Sequence, residues 1–149
     1  MITYEELNTE NDSITELSNV LLYLFQERSM CDTGACCELF HRYMNKVNAH
    51  IDVVDKNLYG QLLNNDSVEV RNLVKNFMSG SQEIKKLMNS YTKQWCPNKR
   101  PDELLVGNHE LFLKETEGMF EMVLQRIQDE TEKLYPLIRK LRGNLETAA

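Results

Sequence analysis

Histidine is scarce in this chain: only His41, His50 and His109 occur in 149 residues. A site that needs many imidazoles therefore cannot be assembled, and no HExxH zinc motif is present, because His109 and Glu110 lack the second histidine. A basic surplus is also missing. With 17 Lys and Arg against 23 Asp and Glu, the formal charge is -6, which argues against a general nucleic-acid binder. No uninterrupted apolar run reaches membrane-spanning length, so no membrane partner is expected. The six glycines form no phosphate-cradling loop, and no serine stands in a nucleophile elbow. The opening residues, from Met1 to Glu6, have neither a basic nor an apolar stretch, so no secretory signal is expected and a cytoplasmic setting is. Together these absences point away from an enzyme.

What is present is helical periodicity over nearly the whole length. Ile14, Leu17, Leu21, Leu24 and Phe25 mark a first helix, with Asp12 or Ser13 as the expected N-cap and Glu16 completing a capping box. A loop is expected at 30–35. Phe40, Met44, Val47, Ile51, Val54, Leu58 and Leu62 then alternate steps of four and three, the seam of a bundle helix. A short turn at 64–67 implies an antiparallel return. The third helix runs from Val70 to Trp95, and Gly80 at its centre predicts a kink or a close helix contact. The stretch 96–108, with Pro97, Pro101 and Gly107, reads as loop. A fourth helix passes through Phe112, Met119, Val123, Ile127, Leu134, Ile138 and Leu141, with a bend expected near Tyr135 because Pro136 follows it. No β-type alternation of useful length appears. The expectation is an all-α fold, an antiparallel up-down four-helix bundle over about 12–142 of a single domain 1–149.

Two segments of that pattern repeat one another. His50, Ile51, Leu58, Tyr59 and Leu62 fall without a gap on Arg126, Ile127, Leu134, Tyr135 and Ile138. This doubled segment resembles the hemerythrin-like (HHE cation-binding) family over roughly 12–141. The resemblance implies a four-helix bundle holding a di-iron centre through histidines and bridging carboxylates, with oxygen binding or sensing as the activity. The ligands implied by that resemblance are mostly missing here: Val54 stands where a glutamate is expected, and Arg126 stands where a histidine is expected. Arginine offers donors only and cannot ligate iron. The resemblance is thus to a degenerate member, read as a non-enzymatic binding or regulatory module without cofactor. The alternative is an iron-binding oxygen or redox sensor or carrier with a reduced ligand set of His50, Asp55 and Glu130. A second alternative is a sigma-factor-binding regulator similar to the regulator of sigma D family, on a short likeness late in the chain.

In the favoured reading, His50, Asp55, Arg126 and Glu130 form a polar cluster where relatives hold metal, since a lone carboxylate on an apolar seam is costly to bury. Tyr59 and Tyr135 are expected to close the two ends of the bundle. The acidic pairs Glu5 and Glu6, Glu115 and Glu117, and Glu130 and Glu132 read as solvated faces. Cys31, Cys36, Cys37 and His41 lie close in sequence, a candidate thiol or zinc cluster, although no paired CxxC framework exists. The partner is expected to be another protein. Leu104, Leu105 and Val106 leave a homodimer open, against a loop that folds back over the bundle.

Overall fold

The first helix begins well ahead of Asp12. In the computed structural model, which describes residues 3–60, 62–97 and 103–141, α1 spans Tyr4–Phe25 and Thr3 is its N-cap. The Thr3 hydroxyl accepts from the Glu6 N–H at 3.1 Å, and the Glu6 carboxylate accepts from the Thr3 N–H at 3.2 Å. Asp12 and Ser13 are therefore mid-helix. The start was hidden because the buried stripe Tyr4, Leu7, Asn11, Ile14, Ser18, Leu21, Phe25 includes two polar residues, which interrupt the apolar periodicity without interrupting the helix.

A one-turn helix α2, Arg28–Cys31, occupies part of the expected loop, and Thr33 caps α3, Gly34–Asn57. α3 ends before its apolar seam does. Leu58 is its C-cap, and Leu62 reaches the core from the turn that follows, its N–H bonded to the Tyr59 carbonyl. Ser67 caps α4, Val68–Trp95, which continues without a break through Gly80. The expected close contact at Gly80 is real: a Cβ there would stand 3.1 Å from Arg126 Nη1.

Asn108 caps α5, His109–Asp129, and a π-helical turn, Glu130–Leu134, leads into α6, Tyr135–Leu141. The Tyr135 N–H bonds the Glu130 carbonyl, five residues back, so the helix widens just before Pro136 rather than ending there. The described elements are all helical. No described helix is long and apolar enough to cross a membrane.

α1 packs against α3 and α5, and α4 packs against the same two helices. The buried residues separate into two apolar clusters. One holds Ile14, Phe25, Phe40, Tyr91, Trp95 and Phe112; the other holds Tyr4, Leu7, Val54, Phe77, Leu134 and Ile138. Leu104 and Val106 are buried in the first cluster, and the Leu105 N–H returns to the Trp95 carbonyl at 2.8 Å. That stretch folds back onto the helices, leaving only Leu105 of the three exposed. Between the two clusters lie Asn11, His50, Ser81, Arg126 and Glu130, so each long helix sends polar groups into one layer.

Candidate functional site

The seam of α3 carries His50 into the middle of the molecule, where it is 3% exposed. Its Nε2 lies 2.6 Å from Glu130 Oε1, and its Nδ1 lies 3.3 Å from Glu10 Oε2 on α1. Ionised carboxylates only accept, and a neutral imidazole has a single N–H. One ring nitrogen would then point a lone pair at a carboxylate, so the geometry fits the imidazolium, which donates on both sides. Burial by itself works against that charge, but the hydrogen bonds to Glu10 and Glu130 outweigh it and the pKa is raised to about 9.

Glu130 begins the π-helical turn and is fully buried. Burial opposes its ionisation, yet the His50 and Arg126 charges hold it below the usual carboxylate range. Its second oxygen accepts from Arg126 Nε at 2.8 Å, and Oε1 also accepts from the Tyr135 hydroxyl at 2.9 Å. Asn11 Nδ2 in turn donates to the Tyr135 oxygen at 3.3 Å. Glu130 is thus set apart from Glu132, which is exposed; only one of that acidic pair is a solvated face.

Arg126, 7% exposed, is pinned along its whole guanidinium. Nη1 donates to the Phe77 carbonyl at 2.8 Å, while Nη2 donates to Tyr59 Oη at 2.6 Å and Ser81 Oγ at 2.8 Å. The Phe77 ring lies under the guanidinium carbon at 4.9 Å. Ser81 donates onward to Asp55 Oδ1 at 3.0 Å. His50, Arg126 and Glu130 are therefore in direct contact, whereas Asp55 joins them only through Ser81.

Glu10, Asn11 and Ser81 escaped the sequence reading. Asn11 had a signal, since it occupies a stripe position of α1; Glu10 and Ser81 had none beyond their helix positions. Tyr59 and Tyr135 do not close the ends of the molecule as expected. Their repeat positions place both hydroxyls in the layer instead, one against Arg126 and one against Glu130.

The residues present do not fit an iron centre. The imidazole and the carboxylate that face each other use their polar atoms on one another, the guanidinium fills the other side of Glu130, and Asp55 is turned to Ser81. Among the described residues no three His, Cys, Asp or Glu side chains are grouped to hold a metal, so neither His50, Asp55 and Glu130 nor Cys31, Cys36, Cys37 and His41 form such a set. All four cysteines are buried. Burial pushes the Cys31 and Cys96 thiols up to about 11, leaving little thiolate for exchange at neutral pH. His41 stacks edge-on against Phe40 at 5.6 Å, and His109 Nε2 bonds the Phe25 carbonyl at 2.7 Å.

Comparison with protein-family models, with curated proteins and with solved structures finds no match.

Proposed function

We propose that this chain is a hemerythrin-like, antiparallel four-helix bundle in which an ion-paired layer stands where relatives carry metal, and that it works as a non-enzymatic binding or regulatory module. The observation that carries this reading is the contact of Glu130 with both His50 Nε2 at 2.6 Å and Arg126 Nε at 2.8 Å. His50 and Arg126 occupy equivalent places in the sequence repeat, so the two positions that would donate lone pairs to iron instead donate protons to one carboxylate. Four long helices with α1 and α4 each packed on α3 and α5 support the bundle arrangement.

A layer of this kind has a structural consequence. It ties all four long helices together at mid-height through named, directional bonds, which favours one helix register over its neighbours. With the interior committed to itself, recognition falls to the surface, and the net charge of -6 favours a partner protein with a basic face.

Anaerobic reconstitution with Fe(II), followed by exposure to air, metal analysis and absorption spectroscopy, tests the reading. The expected result is iron far below one per chain and no oxo-bridge band. A stoichiometric di-iron centre would overturn it.

A further inference from the structure

A groove runs between α4 and α5, with Leu73, Phe77, Ile84 and Met122 along its walls. On α4 its line continues past Gly80 to Leu87, and on α5 past Met122 to Gly118 and Leu111, because residues three, four or seven apart share one side of a helix. Leu87, Leu111 and Met122 are all exposed, so an apolar strip lies open along both walls. From Leu73 to Leu87 the strip is about 20 Å long, room for about four turns of another helix.

Gly118 points to a close approach from outside the chain. Glycine is the poorest helix former after proline, so one in the interior of a long helix calls for a reason. At Gly80 the chain itself supplies the reason, since a Cβ there would crowd Arg126 Nη1; at Gly118, which is exposed, a Cβ would meet nothing within 4 Å. Bare backbone beside Met122 lets a second helix settle at the short end of the usual interaxial distance.

The charges of the groove select what can lie there. Both of its cations are engaged, Arg126 with Glu130, Tyr59, Ser81 and the Phe77 carbonyl, and Lys133 with Asp129 at 3.5 Å. Glu83, exposed at the rim, has no ion pair among the described residues. We propose that the α4–α5 groove docks an amphipathic helix of a partner protein, its apolar face against Leu87, Gly118 and Met122 and a lysine or arginine on its flank over Glu83. A second copy of this chain fits less well, because each copy carries a formal charge of -6. The inference rests on the binding-module reading and gives the partner its chemistry.

The probe is a synthetic peptide of about sixteen residues, with leucines at i, i+3, i+4 and i+7 and lysines flanking them, titrated into the full chain and followed by methyl NMR. Saturable shifts are expected at Leu87, Leu111 and Met122, with the exposed Val20 and Leu105 methyls unmoved. The same peptide with glutamates for lysines should bind about tenfold more weakly or worse, and Glu83→Lys should weaken the lysine peptide by about threefold or more. Gly118→Gln should unfold at a higher urea concentration, glutamine being the better helix former, yet bind the lysine peptide about tenfold more weakly because its side chain stands in the channel. Absence of saturable shifts, shifts as large at Val20 and Leu105, equal binding by Gly118→Gln, or an acidic peptide that binds as tightly would each overturn the proposal. So would a dimer in sedimentation whose formation covers the same methyl groups, which would make a second copy the occupant. None of these outcomes bears on the iron measurement, so failure of the groove and failure of the metal-free reading are told apart.

Discussion

Removing one member of a buried ion pair strands the other, so Arg126→Met is expected to be far more harmful than any change at an exposed pair. Glu130 would keep a buried charge with one cation fewer, and Tyr59, Ser81 and the Phe77 carbonyl would lose their donor. The expected loss is about 3–5 kcal/mol in urea unfolding, against about 0–1 kcal/mol for Lys85→Ala, which breaks only the exposed pair with Asp52. His50 gives the layer a pH signature. Its folded pKa of about 9 lies above the ordinary imidazole value of 6.5, so its contribution is fully present below about pH 6.5 and is lost as pH rises through about 9. Urea midpoints should fall across that window, and the fall should be absent in His50→Asn. The buried thiols add a similar loss only at higher pH, because burial moves Cys31 and Cys96 from the ordinary thiol value of 9.0 to about 11. Glu130, with its pKa lowered, acts in the opposite direction: its stabilisation is present above the ordinary carboxylate range and lost as pH falls below it.

Helix boundaries show where sequence periodicity stops being informative. The helix expected from Val70 to Trp95 was legible to within two residues of the observed Val68–Trp95, because only Ser81 interrupts its apolar stripe. The start of α1 was not, since Asn11 sits in the stripe for its place beside Tyr135 and not for burial of apolar area. The capping box at Thr3 and Glu6 makes that boundary testable. Thr3→Ala should destabilise by about 1 kcal/mol and speed amide exchange at Leu7, whose N–H bonds the Thr3 carbonyl at 3.1 Å; Asp12→Ala, inside the helix, should change stability by no more than about 0.5 kcal/mol. The π-helical turn was half legible. Pro136 announced a disturbance, but only the backbone reveals that the ladder widens by one residue, with Glu130 at the first position of the wide turn.

For the molecule as a whole, the helical class was legible because almost every segment repeats at a helical period, and the heart of the site was legible because two segments repeat each other with His50 exchanged for Arg126. The partners of those two residues were not, because Glu10, Asn11 and Ser81 are brought in by helix packing, which no single segment encodes. The two apolar clusters meet across a layer whose charges must balance in place: the cations Arg126 and His50 flank Glu130, with Glu10 at the edge. Everything proposed for the interior depends on His50 being an imidazolium there. Nitrogen-15 NMR of the His50 ring across pH tests this directly. Both ring nitrogens should be protonated at neutral pH, with the transition only near pH 9. A neutral ring at pH 7, with one bare nitrogen facing a carboxylate or a metal, would contradict the charged layer.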